Sequence, residues 1–170
     1  DHGALELPES LKLKRISAGR VSYKQEKKVF AEIISQIDLK IGPGKVVEYD
    51  NDFYFNEDLT EEEREIASAV IKDLVFNIEG VRMALSPQEI MDLPNSKENT
   101  RLKNMIHPTR SPDIYVILKE NWLWRSTPGT SHGSHYSYDS HIPLIFSRYG
   151  NQHYKNNDPV YSVDASPTIA

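Results

Sequence analysis

The chain has 170 residues, of which 38% are hydrophobic and 26% charged, and its net charge is −5 at pH 7, as is typical of one soluble domain that can bury a core. The acidic balance argues against binding to a nucleic-acid polymer, because such modules usually present a basic face, and no apolar stretch is long enough for a membrane span. Cysteine is absent, which excludes disulfides, thiolate zinc fingers and cysteine nucleophiles, so that any metal must be held by His, Asp or Glu.

The first predicted helix follows a predicted loop over residues 7–19. Ser22 is its expected N-cap, and the helix spans about residues 24–39 before Gly-Pro-Gly at 42–44 ends it. Its apolar residues recur at i, i+3, i+4 and i+7, which is the spacing of one buried helix face. They are Val29, Phe30, Ile33, Ile34 and Ile37.

Residues 45–56 predict a β-hairpin, because two runs of β-branched and aromatic residues flank the polar turn 50–52. Thr60 and Glu63 then carry the signature of a capping box, which predicts a helix that reaches about Ile78. The large apolar residues at helical spacing form its expected buried stripe, which consists of Ile66, Val70, Leu74 and Ile78.

Four shorter elements follow. Residues 81–85 predict a strand, 86–91 a short helix, 96–105 a weak helix and 114–118 a strand. With the weak helix left out, the element order over residues 20–119 is α-β-β-α-β-α-β, which suits a small sheet with helices on one face.

The last part of the sequence changes character. Residues 126–138 are rich in Ser, Thr, Gly and His and predict a loop. The apolar run within 141–150 predicts a buried strand. Residues 164–170 predict the start of a helix, with Asp164 or Ser166 as its N-cap.

Two clusters of potential metal ligands lie far apart in the sequence. Asp1 and His2 precede a glycine, and adjacent side chains can reach one ion only where the backbone forms a loop. His132 lies in "GTSHGSHYSYD", whose small residues let the backbone turn around a bound group. Carboxylate and imidazole ligands suit Zn²⁺ and, less exclusively, Mn²⁺ or other divalent ions. An ordinary surface loop is the alternative for each cluster.

Three further residues are secondary candidates for contact with metal or substrate. Asp139 could orient a histidine by accepting a hydrogen bond, and His141 could orient the loop. Arg110 could bind a phosphate through two parallel hydrogen bonds, although a solvated arginine is the alternative. We assign no direct role to His135.

The motifs "DHG" and "GTSHGSHYSYDSHIPLIF" together resemble the alkaline phosphatase superfamily, and within it the type I phosphodiesterase/nucleotide pyrophosphatase branch. The stretches "HPTRSPDIYVILKENWLW" and "YSVDASPTIA" resemble the same branch in the same order. The resemblance implies an α/β fold, a partial alkaline-phosphatase-like core with an α+β cap insertion. It divides the chain into a core metal loop with its connection to the cap (1–19), the α+β cap-like insertion (20–125), and a core segment with the His loop, a buried strand and the start of a helix (126–170).

The resemblance also implies a chemistry. Such enzymes hold two zinc ions; Asp1 and His2 match the ligands of the ion nearest the nucleophile, and His132 matches a ligand of the second ion. A Thr or Ser attacks the phosphate ester, and water then hydrolyses the phospho-enzyme. In the family this nucleophile and the remaining ligands lie upstream of "DHG". We therefore expect a C-terminal fragment that holds half of the protein ligands, binds metal weakly and is inactive alone.

Other functions stay open at this point. A sulfatase, phosphonate hydrolase or phosphotransferase of the same superfamily would share the metal frame. A non-catalytic binding or oligomerisation domain would carry its histidines incidentally. The family implies a small phosphate-ester substrate and a periplasmic or extracellular location. Self-association is expected if strand 142–146 leaves its edges exposed.

Overall fold

The computed structural model describes residues 3–124, 127–147, 150 and 154–169. Within these residues the elements are, in order, α1 (Pro8–Leu13), β1 (Gly19–Arg20), α2 (Tyr23–Ile41), β2 (Val46–Tyr49), β3 (Asp52–Phe55), α3 (Glu61–Leu74), β4 (Val81–Leu85), α4 (Pro87–Asp92), α5 (Lys97–Met105), β5 (Tyr115–Leu118), β6 (Trp122–Leu123), α6 (Ser137–Ser140) and α7 (Ala165–Ile169). The mixed α/β order from α2 to β5 confirms the predicted fold class, and the weak helix forms as α5, so that two helices lie between β4 and β5. Nowhere in these ranges does a helix have the length and apolar character that crossing a membrane requires.

Strands β2 and β3 form the predicted antiparallel hairpin. Its turn consists of Asp50 and Asn51, whose φ angles of 52° and 70° are the positive values that two-residue hairpin turns favour. Asp52 already pairs with Tyr49, so the turn is one residue shorter than predicted.

The hairpin is joined to a second pair of strands. Strands β4 and β5 pair antiparallel, and a bridge between Phe53 and Ile114 connects β3 to the start of β5. Phe53 and Ile114 exchange backbone hydrogen bonds of 3.0 and 3.1 Å. Strands β1 and β6 form a separate parallel pair, in which Gly19 is opposite Trp122. The Phe53–Ile114 bridge therefore joins the β2–β3 pair and the β4–β5 pair into one continuous arrangement of strands.

The main core lies between α2, α3 and these strands. Phe30 meets Phe53 edge to face, with their ring centroids 5.4 Å apart, and the predicted face of α2 is buried except for the half-buried Ile34. On α3 the fully buried residues are Ala67 and Ile71, each one position after a predicted residue. The predicted Ile78 is buried as well, beyond the end of the helix. Alanine is only weakly hydrophobic, so its position does not stand out in the sequence. The larger apolar residues beside it therefore determined the predicted stripe.

Residues 7–19 are only in part the predicted loop, because residues 8–13 form a helix. Helix α1 begins with Pro8, which suits a first helical turn, and Leu11 is buried on it. A second, smaller apolar cluster forms around this helix from Leu5, Leu11, Ala18 and Leu123. A helix of six residues is too short to show helical periodicity in the sequence, which explains the error.

The predicted buried strand within 141–150 is also wrong over its described residues. Residues 141–147 form no strand, and the side chains of Ile145 and Phe146 are 78% and 51% exposed. A strand needs a neighbour for its backbone hydrogen bonds, and the described parts of the chain give this run none. The terminal helix is confirmed as α7, which begins at Ala165 after a single 3₁₀ turn, Ser162–Asp164.

Candidate functional site

The segment that follows the Asp-His pair runs beside the loop that carries His132. Asp1 and His2 lie outside the described residues, so their predicted metal role stays a prediction. The N–H of Gly3 donates to the carbonyl of Asp139 (2.9 Å), and the N–H of Leu5 donates to the carbonyl of Ser131 (3.1 Å). These bonds hold together two parts of the chain that are far apart in sequence.

Gly3 is required here by close packing of the backbone. A Cβ atom at this position would lie 1.9 Å from the carbonyl oxygen of Tyr138, a distance that no side chain can occupy. Any larger residue would push the segment after His2 away from the loop.

The start of the loop has two further anchors. The guanidinium of Arg20 donates to the carbonyl oxygens of Thr127 (3.1 Å) and Gly129 (2.6 Å). The hydroxyl of Thr130 donates to the carbonyl of Leu5. His132 follows directly after this anchored stretch and is exposed. Gly133, with φ +101°, then turns the chain in the left-handed region that glycine favours.

Asp139 holds the other end of the same loop. Its side chain is only 5% exposed, and its Oδ2 accepts a 2.6 Å hydrogen bond from the N–H of Ser134. Its Oδ1 is buried and has no hydrogen-bond partner among the described atoms. The contact that we observe is therefore with the backbone two residues after His132, and a contact with a metal ligand stays a prediction.

His141 and Arg110 lie at the surface. The N–H of His141 donates to the carbonyl of Ser137 (2.9 Å) and closes helix α6. Arg110 lies in the turn after α5, where its N–H donates to the carbonyl of His107 (3.3 Å). Arg110 does not take part in the contacts described above that hold the His132 loop. In the described part of the chain, three or more His, Asp or Glu side chains nowhere come together as a metal site.

Sequence reasoning missed a polar network behind the loop. His135 is buried, and its Nε2 lies 3.3 Å from Oε1 of Glu98 on α5. Burial lowers the pKa of His135, and the positive charges of Arg82 and Arg101 act in the same direction, whereas Glu98 opposes them. This histidine is therefore neutral at neutral pH.

Tyr136 extends the network to the strands. Its hydroxyl donates to the carbonyl of Leu118 (2.8 Å) and accepts from Nη1 of Arg82 (3.2 Å), which also contacts Oε1 of Glu98 at 2.6 Å. Arg101 donates to the carbonyl of His135 (3.3 Å). In the sequence this network shows only as a His-Tyr pair in a loop of small residues. The partners of Tyr136 are 18 and 54 residues away, so no local pattern reveals them.

Curated proteins resemble the chain over its whole length. Alkaline phosphatase PhoV of Synechococcus elongatus is 28% identical over 176 residues, which cover 100% of this chain and 31% of PhoV. A Myroides odoratus protein named calcium-transporting ATPase is 29% identical over 180 residues, which cover 100% of this chain and 32% of that protein. No family model matches the sequence. The chain thus spans about a third of the length of these curated relatives.

A solved structure has the same fold. Wild-type alkaline phosphatase PafA superposes with a TM-score of 0.76 over 99% of this chain and 32% of PafA, at 24% sequence identity. This likeness establishes the partial alkaline-phosphatase-like α/β fold that the sequence predicts. With the relatives named alkaline phosphatase, it supports the superfamily to which the "DHG" and "HGSHYSYD" motifs point.

Proposed function

We propose that this chain forms the part of a metal-dependent phosphate-ester hydrolase that supplies Asp1, His2 and His132 to a two-zinc centre. One observation carries the proposal: the hydrogen bonds from Gly3 to Asp139 and from Leu5 to Ser131, which fasten the segment after His2 beside the His132 loop. Two-metal hydrolases need their ligands close together, because the two ions act about 3.5–4 Å apart on one phosphate. The likeness to alkaline phosphatases supports the same reaction class.

The donor set of the chain fits zinc. One carboxylate and two imidazoles are ligands that Zn²⁺ accepts, and when bound the two ions would supply charge stabilisation for the phosphoryl oxygens. Asp1 and His2 would hold the ion nearest the nucleophile, and His132 would hold the second ion. Catalytic zinc usually has three protein ligands, so the other ligands and a Thr or Ser nucleophile would come from outside these 170 residues.

The described residues contribute rigidity to such a centre. The carboxylate of Asp139 accepts a hydrogen bond from the N–H of Ser134, and the N–H of Leu5 donates one to the carbonyl of Ser131. The backbone is therefore held on both sides of His132. A ligand that is already oriented loses less conformational freedom when it binds a metal. The held loop is therefore the chain's own contribution to metal affinity.

Finer features belong to the same proposal. Residues 20–125 would form a cap-like insertion over the centre, and residues 1–19 and 126–170 would belong to the catalytic core. The whole protein would belong to the type I phosphodiesterase/nucleotide pyrophosphatase branch, act on small phosphate esters and reside in the periplasm or outside the cell. The 170 residues alone would be inactive.

The test uses the protein from the complete reading frame that contains these residues. Its hydrolysis of p-nitrophenyl phosphate, bis-p-nitrophenyl phosphate and p-nitrophenyl sulfate is measured before and after chelation, and again after zinc is restored. We expect phosphate-ester hydrolysis that disappears with the chelator and returns with zinc. Preference for the sulfate would favour a sulfatase. A folded protein that binds no zinc and hydrolyses none of the three would support a binding or oligomerisation domain instead.

A further inference from the structure

We propose that Glu98 is a positioning residue, which ties helix α5 to the loop of His132 and thereby sets where that histidine lies. Glu98 is far from the loop in sequence, and neither the sequence motifs nor the likeness to alkaline phosphatases assigns it a role. The part of the proposal that concerns metal binding rests on the proposed function, whereas the part that concerns the loop does not.

The first support is the number of donors that Glu98 receives. Its Oε1 accepts from Nη1 of Arg82 at 2.6 Å and lies 3.3 Å from Nε2 of His135. A carboxylate can only accept, so the His135 ring carries its proton on Nε2 in this contact. The His135 side chain is 4% exposed, so water has little access to replace Glu98 if that carboxylate is lost.

The second support is that neighbouring contacts converge on the same two loop residues. The rings of His135 and Tyr136 lie against each other, with centroids 4.1 Å apart. Arg82 contacts both Glu98 and the Tyr136 hydroxyl, and Arg101 donates to the carbonyl of His135. Glu98 therefore pairs with Arg82 and contacts His135, so that one carboxylate links the strand residue Arg82 to the loop.

The third support is the position of His132 between two sets of anchors. Before it, the carbonyl of Ser131 is held by Leu5; after it, the N–H of Ser134 is held by Asp139, and His135 is held by Glu98. Only His132 and Gly133 lie between these fixed points. Release of the His135 side chain would remove one of the anchors after His132 and leave the Ser134–Asp139 bond in place. Because Gly133 is a flexible joint, we expect His132 then to have a wider range of positions.

The test compares Glu98→Ala with Glu89→Ala in the full-length protein. Glu89 pairs with Lys72 at 2.6 Å and caps α4, so its loss weakens the same α+β part without contacting the loop. The readouts are amide hydrogen exchange of residues 130–136 without metal, the zinc dissociation constant from chelator competition, and kcat and KM for p-nitrophenyl phosphate. We expect Glu98→Ala to speed loop exchange and weaken zinc binding about tenfold, whereas Glu89→Ala changes neither.

A second pair of variants distinguishes loss of the Glu98–His135 contact from a general folding defect. In His135→Gln the side-chain amide keeps a donor near the position of Nε2, so we expect behaviour close to the wild type; His135→Leu removes the donor and should resemble Glu98→Ala. Equal effects of Glu98→Ala and Glu89→Ala on exchange would overturn the proposal. Faster exchange with an unchanged zinc constant would overturn the link to His132. A wild-type protein that binds no zinc would refute the proposed function, and exchange would still decide the role of Glu98 in the loop.

Discussion

The indole ring of Trp122 lies directly against Gly80. A Cβ atom on Gly80 would be 2.1 Å from Cε3 of Trp122, and a Cβ atom on Gly19 would be 2.6 Å from the same ring. Two glycines on separate segments thus leave the space that one tryptophan fills. Trp122 packs against the main core, so this contact joins the β1–β6 pair to the α+β part.

Gly80→Ala should destabilise the protein well beyond the cost of its backbone conformation. The φ of Gly80 is +101°, which costs an alanine about 1–2 kcal/mol, and overlap with the ring adds to this. Gly44→Ala is the matched control, because Gly44 has a φ of +76° and nothing within 4 Å of its Cβ position. The measurement is the free energy of unfolding in urea. Equal losses in the two variants would show that the Trp122 contact is unimportant.

Thr60→Ala should cost about 1 kcal/mol of stability. The Thr60 hydroxyl accepts from the N–H of Glu63 (3.3 Å), and the Glu63 carboxylate accepts from the N–H of Thr60 (2.9 Å), so the capping box of α3 is complete. Ser22 is the N-cap of α2 but makes no capping hydrogen bond with its side chain. Ser22→Ala should therefore change the free energy of unfolding by only a few tenths of a kcal/mol. The prediction fails if the two substitutions cost the same.

Asp52→Asn should remove a loss of stability that occurs as the pH rises. Burial raises the pKa of Asp52 from its ordinary 3.8 to about 7, and the charges of Asp50 and Glu48 add to this, although the N–H of Val116 acts in the opposite direction. Between these two values the folded protein keeps a proton that the unfolded chain has lost. The stabilisation is therefore complete below pH 3.8 and is lost as the pH rises through about 7.

The measurement for Asp52 is the free energy of unfolding of both proteins at about pH 5 and about pH 8. The Asn side chain can still accept from Val116, so the hydrogen bond of 2.7 Å at this position has a substitute. We expect the variant to gain stability relative to the wild type at the higher pH. A difference between the two proteins that does not change with pH would contradict the assigned pKa.

His132→Ala in the full-length protein should lower zinc content from about two ions to about one per chain and abolish phosphate-ester hydrolysis. His132 is the one residue of this chain that we assign to the second ion. His107→Ala is the control, because His107 is also exposed but lies in the turn after α5. Zinc is counted by mass spectrometry of metals after gel filtration. Unchanged zinc in His132→Ala would remove this histidine from the centre.

Elements with strong local signals could be predicted from the sequence. The face of α2, the hairpin turn at Asp50 and the capping box at Thr60 each depend on residues within a few positions of one another. The run 141–147 was predicted wrongly because a strand depends on a distant partner, which periodicity does not reveal. The same reason hid the β1–β6 pair, whose two-residue strands are about a hundred positions apart.

The candidate site divides in the same way. His132 and Asp139 stand out in the sequence because of their residue types and the small residues around them. Glu98 does not, since a glutamate on a short helix is usually a solvated surface residue. Its role becomes visible only when α5 and the loop are packed together. The contacts that position a ligand are therefore harder to predict than the ligand itself.

The parallel pairing of β1 with β6 has a consequence for how this protein can change. Gly19 lies opposite Trp122 and Arg20 opposite Leu123, so the chain leaves this point and returns to it about a hundred residues later, heading in the same direction. Residues 21–121 therefore form a long excursion from this strand pair, that is, a segment whose two ends lie side by side. The cost of closing such an excursion grows only slowly with its length. Evolution or an engineer can therefore lengthen or shorten the parts of it that do not contact the loop, such as the β2–β3 hairpin, as long as the contacts of Arg82 and Glu98 with the His132 loop are kept.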